Sequence, residues 1–195
     1  MINKILLFIF ISTLPMLVKA QQLPMDKVYQ DGSRLLESQC IYIRNGFTDK
    51  NPIGVSIMAL SDSCNNTDYF FHLRISSMKS YTIPQNSIML FKVANNDVIE
   101  VKQGWESYKT EDTIGTYIPY AGRIHISEGI YPIGVFDLGA MASMGVVKIR
   151  IETQYENIDI NYSQKKAKEF GEAIFQCMGE VFGALKIKKD IRDGF

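Results

Sequence analysis

Between Tyr69 and Lys102 the chain alternates apolar and polar residues through three consecutive runs. A side-chain period of two commits such a segment to β-structure. Tyr69, Phe71, Leu73 and Ile75 share one face of the first run, and Phe70, His72, Arg74 and Ser76 the other. Met89, Phe91 and Val93 alternate with Leu90, Lys92 and Ala94 in the second, and Ile99 and Val101 with Val98, Glu100 and Lys102 in the third. Each run has one uniformly apolar face and one mixed face, as expected of strands with one side on a core.

Asn95-Asn96-Asp97 is turn chemistry, so the second and third runs form a hairpin. A two-residue loop at Asn95-Asn96 would set Phe91 against Glu100, whereas a three-residue loop keeps apolar opposite apolar. Two centres satisfy this. With 95–97 as the loop, Phe91 faces Val101 and Lys92 faces Glu100, a cross-strand charge pair worth about 0.2–1 kcal/mol. With 94–96 as the loop, Asn96 takes the left-handed position of a bulged turn.

Shorter signals surround this centre. Cys40 to Arg44 and Ile53 to Ala59 read as two strands. A hairpin about a 46–52 loop would set residue 45 against 53 and residue 40 against 58. Thr116 to Ile126 has β composition interrupted by Pro119 and Gly122, the mark of an edge strand or bulge. Tyr131 to Phe136 is another short apolar piece. Residues 137–145 fit one or two helical turns, with Asp137 as N-cap and Gly145 as the stop. Val147, Ile149 and Ile151 alternate with charged residues as a further strand, and Ile158 and Ile160 add one more.

From Ser163 the period changes. Phe170, Ile174, Cys177, Met178, Val181 and Leu185 recur at steps of three and four, predicting a helix of about 22 residues capped by Ser163. Gly171, Gly179 and Gly183 lie inside it, each costing about 1 kcal/mol against alanine. A strand-rich body followed by one amphipathic helix predicts a mainly β fold. The expectation is a single-domain antiparallel β-sandwich of about seven or eight strands with the C-terminal α-helix packed on it. The alternative is an α+β roll in which the helix fills one curved sheet.

The first twenty residues predict an address. Lys4, an apolar run from Ile5 to Val18, and small residues Val18 and Ala20 before a cleavage point are the parts of a secretory signal peptide. The organisation expected is signal peptide 1–20, lead segment 21–38, sheet domain 39–162, helix 163–186 of the same domain, and tail 187–195. The product would be periplasmic or extracellular, without a membrane span after cleavage, and the short apolar signal suggests a bacterial envelope protein. Cleavage removes Lys4 and Lys19 from a chain of 21 basic and 21 acidic residues. That leaves a near-neutral protein without the electrostatic footprint of a nucleic-acid binder.

Export permits disulfides. Cys40 and Cys64 are the one plausible pair, but the hairpin above would part them by roughly 20 Å along the strand. A bridge needs Cα atoms within about 7 Å, so the 61–67 loop would have to fold back. Cys177 falls on the helix's apolar stripe, as a buried and inert thiol.

Catalytic motifs are sparse. Neither His72 nor His125 has a ligand-spaced Asp, Glu, His or Cys beside it, so each reads as a surface or hydrogen-bonded core histidine. No metal site and no cofactor are expected. The Asp62–Asp68 loop is ordinary turn chemistry without EF-hand spacing. Trp105, Tyr108, Tyr117, Tyr120 and Tyr131 cluster in the least regular part of the chain, where aromatics beside polar loops bind sugars or peptides. The function expected is therefore an exported non-catalytic binding or interaction module, with a glycan, a peptide or another envelope protein as partner. The alternative is a hydrolase of envelope or dietary polymers, acting through carboxylates such as Asp97, Glu100 and Glu106.

Overall fold

Period-two segments pair here into two antiparallel sheets. The computed structural model describes residues 25–43, 52–64, 66–77, 79–104, 109–113 and 124–186. The expected signal segment 1–20 and tail 187–195 lie outside them. In chain order the strands are β1 (Met25–Val28), β2 (Arg34–Glu37), β3 (Ile41–Ile43), β4 (Ile53–Ser61), β5 (Thr67–Ser77), β6 (Ile88–Val93), β7 (Val98–Lys102), β8 (Lys109–Thr113), β9 (Ile124–Pro132), β10 (Val146–Glu152) and β11 (Asn157–Asn161). The helices are α1 (Val135–Met144) and α2 (Gln164–Leu185).

One sheet has seven strands in the order β1-β2-β4-β5-β9-β8, with β3 also on β4; the other has four in the order β11-β10-β6-β7. The predicted core face of the central runs is the face that packs. Phe71, Leu73, Ile75, Met89, Phe91, Val93, Ile99 and Val101 are buried in one cluster, with Tyr69 packed at its edge. Phe71 of β5 meets Phe91 of β6 with ring centroids 5.0 Å apart, joining the two sheets. Phe170 of α2 lies 6.5 Å from Phe91, and Phe182 lies 5.4 Å from Tyr69. The sandwich with a C-terminal helix packed on it is thus the fold, and the single-sheet roll is not.

The β6–β7 register resolves the loop. Phe91 faces Ile99 and Leu90 faces Glu100, so the loop is 94–96 and the Lys92–Glu100 pairing does not form. Asn96 sits at φ 76, the left-handed region that asparagine tolerates. Helix α2 begins at Ser163, whose hydroxyl accepts from the Lys166 amide.

Other expectations shift. The strands number eleven among the described residues rather than seven or eight. Within the lead segment lie β1 and β2, four-residue strands too short to show a period. β9 runs continuously from Ile124 to Pro132 through Ser127-Glu128-Gly129, which has no strand signature but pairs with β5 along its length. Ile43 faces Ile53 and Ile41 faces Val55, a register two residues from the expected one, which leaves the faces unchanged. Helix α1 starts earlier than expected, with Gly134 rather than Asp137 at its N-cap and no side-chain cap bond. Gly145 does stop it, at φ 74.

The three glycines of α2 separate into two kinds. An added Cβ at Gly179 or Gly183 would meet nothing within 4 Å, whereas at Gly171 it would stand 2.8 Å from the Ala142 carbonyl oxygen. Gly179→Ala and Gly183→Ala should each raise the unfolding free energy by about 0.5–1 kcal/mol, because a helix interior penalises glycine and both sites are open. Urea midpoints of the two variants check this.

Candidate functional site

The outer face of the seven-stranded sheet, turned away from the core, carries the least ordinary chemistry of the described residues. It is built around an irregular edge. In β2 the alternation puts Leu36 into the core and Glu37 on the outer face, opposite Met58. Four steps later Ile41 faces Val55, only three steps along β4. One extra residue is therefore inserted at Ser38–Cys40, a β-bulge of the kind that re-aims side chains. Ser38 bridges it: its amide donates to the Ile57 carbonyl, and its hydroxyl accepts from the Ile57 amide, each at 2.9 Å.

Helix α2 clamps the bulge from behind. The Gln39 amide donates to the Glu180 carboxylate at 2.9 Å, and the Cys177 thiol donates to the Gln39 carbonyl at 3.6 Å. Burial pushes the Cys177 thiol up to about 11, so it stays protonated as this contact requires. Arg34 donates to the Ala184 carbonyl at 3.1 Å, tying the last turn of α2 to β2.

In front of the bulge lies a charged network that the sheet itself assembles. Glu37 Oε1 accepts from Ser56 Oγ at 2.7 Å, from His72 Nδ1 at 2.8 Å and from Arg74 Nη2 at 3.3 Å. The Arg74 Nε then donates to Glu128 Oε1 at 2.8 Å. Glu37 is 6% and His72 also 6% exposed, unusual burial for an outward face. A carboxylate only accepts, so the Glu37 contact fixes the proton of His72 on Nδ1. His72 Nε2 has no hydrogen-bond partner among the described residues and stands 3.8 Å from Glu128 Oε2. The Cys40 thiol, from the bulge, and the Tyr42 phenol, from β3, border Arg74. They pack directly over Gly54, where an added Cβ would lie 2.7 Å from the Cys40 sulfur and 2.9 Å from the Tyr42 ring. This close approach requires a glycine.

Burial by itself would raise the Glu37 carboxyl, but hydrogen bonds from His72 and Ser56, together with the Arg74 guanidinium, outweigh it and hold the group below its ordinary value. The stability this contributes is fully present above the unfolded value, about 4.3, and is lost as pH falls through the lower folded value. The wild-type urea midpoint should therefore drop more steeply below pH ~4.3 than that of Glu37→Gln, which lacks this titration.

Ser56 donates to Glu37 and not to the imidazole, so Ser56 is not activated by His72. Glu37, held ionised, is a poor proton donor, and both carboxylates are tied to Arg74.

An open hollow of about 350 Å³ adjoins the network on the same face. Leu35, Met58, Leu60 and Phe70 form its floor, with Tyr29 and Asp31 at the mouth. A second, shallower hollow of about 790 Å³ lies on the other side of Phe70, against Pro132, Ile133 and Phe136.

Of the residues expected to bind, Trp105, Tyr108, Tyr117 and Tyr120 lie outside the described residues. Tyr131 is fully buried in the core, where burial pushes its phenol up to about 12, so it offers no face to a ligand. Cys40 and Cys64 are free thiols and form no bridge: Cys40 stands level with the middle of β4, and Cys64 follows its far end in an exposed loop. Asp62 uses its carboxylate on the Cys64 and Asn66 amides and the Asn66 side chain, as a turn does. Asp97 turns back to Asn95, and Glu100 faces solvent opposite Leu90, so the two do not converge on a pocket. Glu106 lies outside the described residues.

The sequence showed His72 and Arg74 together on the polar side of β5, but Glu37 and Glu128 join them only through β2–β4–β5–β9 pairing. No protein-family model, no curated protein and no solved structure matches this chain.

Proposed function

We propose that the chain is an exported, non-catalytic binding module of the bacterial envelope that takes its partner on the outer face of the seven-stranded sheet. One observation carries the reading: an open apolar hollow beside a buried charge network whose groups are engaged with one another. Outward apolar area rimmed by polar groups is what a partner covers. A network whose groups are engaged with one another adds shape and rigidity there rather than a nucleophile or a free acid. The expected partners are a glycan, a peptide or another envelope protein. The hydrolase alternative has less support, because the paired carboxylates that do converge, Glu37 and Glu128, are both locked on Arg74.

A thermal-shift panel of glycans, peptides and divalent ions tests the reading. A ligand at one hundred times its Kd should add about 2.7 kcal/mol of stability by mass action. Leu60→Lys places a charge in the hollow and should abolish that shift. A ligand shift that survives Leu60→Lys places binding elsewhere; release of product from a polymer substrate would remove the non-catalytic reading.

A further inference from the structure

We infer that the partner is a basic peptide segment, extended over the outer face so that two apolar side chains enter the two hollows flanking Phe70 while lysine or arginine side chains meet the acidic rims. The inference rests on the outer-face binding reading and narrows it to one chemistry.

The two hollows share one lining residue, Phe70, the first on the outer face and the second at the end of the sheet beside Pro132 and Ile133. Their floors suit apolar side chains: Leu35, Met58 and Leu60 in the first, and Pro132 and Ile133 in the second. Phe136, at the wall of the second, is 90% exposed, and its neighbour Val135 is 38% exposed. An extended peptide presents alternate side chains on one face about 6.6 Å apart, so neighbouring hollows are filled by residues two or four apart, and the intervening lysines curl back along their flexible stems to the rims.

Charge complementarity chooses among partners. Two lining residues carry charge, Asp31 in the first hollow and Asp68 in the second, and both are acidic. Asp31 is held ionised by the Ser33 side chain and amide. The Asp137 carboxylate lies beside Gly134 at the lip of the second hollow, 3.1 Å from where a Cβ would stand. Lys27, on the neighbouring strand β1, stands 4.8 Å over the Tyr29 ring. Carboxylate rims repel an anionic lipid surface and attract a cationic chain. Open apolar floors with few hydrogen-bonding groups suit a peptide side chain better than a sugar ring.

Three capped hexapeptides test the inference against the purified protein by calorimetry: Leu-Lys-Phe-Lys-Leu-Lys, the same peptide with glutamate for lysine, and Ser-Lys-Ser-Lys-Ser-Lys. The first should bind at least about tenfold tighter than either of the others and weaken several-fold between low and high salt. Asp31→Asn with Asp68→Asn should weaken it about tenfold and remove its advantage over the glutamate peptide. Both aspartates are exposed, and the pair of variants should melt as wild type does. Phe136→Ser, at a position outside the core, should weaken the first peptide without altering the melting temperature.

Equal binding of the glutamate peptide, or equal binding of the serine peptide, overturns the inference. So does concentration-dependent self-association abolished by Phe136→Ser, which would make a second copy the occupant. A glycan or acidic peptide whose binding is lost in Leu60→Lys would overturn the basic-peptide assignment while leaving outer-face binding intact. Absence of any Leu60→Lys-sensitive ligand overturns both.

Discussion

Replacing Glu37 with alanine should lower the unfolding free energy by about 3–5 kcal/mol, more than any exposed substitution proposed here. The carboxylate gathers three donors on one oxygen, from Ser56, His72 and Arg74. Removing it strands a buried hydroxyl and imidazole, and leaves Arg74 balanced only by Glu128. An unmatched buried donor costs about 1–3 kcal/mol, more when it is charged. Glu37→Gln keeps the shape and one acceptor and should lose less. Urea unfolding at pH 7 should show the midpoint falling with an unchanged slope. A His72→Ala background should reduce the Glu37→Ala loss, because contacting residues do not act independently. A loss under ~1 kcal/mol would mean that water reaches the network, and would remove the claim that it is a rigid, desolvated feature of the face.

How much of this could be read from the residues depends on whether a feature is local. The core faces of β5, β6 and β7 follow from a period of two within each run, and the structure buries the residues so chosen. The β6–β7 loop could be restricted to an odd length from the same alternation, but its centre depended on whether Asn96 would accept a positive φ. Ser163 and the stripe from Phe170 to Leu185 are local too, and α2 follows them. The site is different. The bulge at Ser38–Cys40 has no glycine or proline to announce it and is defined by the unequal count against β4. Glu37 lies in a stretch with too few residues to set a period, and Glu128 in a polar triplet, so neither is marked by its own neighbours. Their meeting with His72 and Arg74 is a product of strand order, which alternation leaves undetermined. The helix glycines show the same division. Their propensity cost is local and was legible, whereas the reason for Gly171 is a contact with another helix.

That contact carries the second large effect. Gly171→Ala should cost about 2–3 kcal/mol and Gly145→Ala about 3 kcal/mol or more, in the same α2 packing where Gly179→Ala should stabilise. At Gly171 an added Cβ would approach three backbone atoms of the facing segment, the Ala142 and Met141 carbonyl oxygens and the Gly145 Cα, at 2.8, 3.1 and 3.2 Å. At Gly145 it would collide with the Ala167 carbonyl. Backbone cannot rotate away as a side chain does, so α1 and α2 must separate to admit either methyl. Gly145 also sits at φ 74, where an L side chain adds roughly 1–2 kcal/mol of strain of its own. Once one methyl has parted the helices, the second meets less resistance, so the double variant should lose less than the two single losses combined. Displacing α2 should also loosen its hold on Gln39 through Glu180 and Cys177. Faster amide exchange at Gln39 in Gly171→Ala, at a denaturant concentration where the chain remains folded, would tie the helix crossing to the bulge that presents Glu37. If Gly171→Ala instead stabilises as Gly179→Ala does, the helices are not in backbone contact and that coupling is lost.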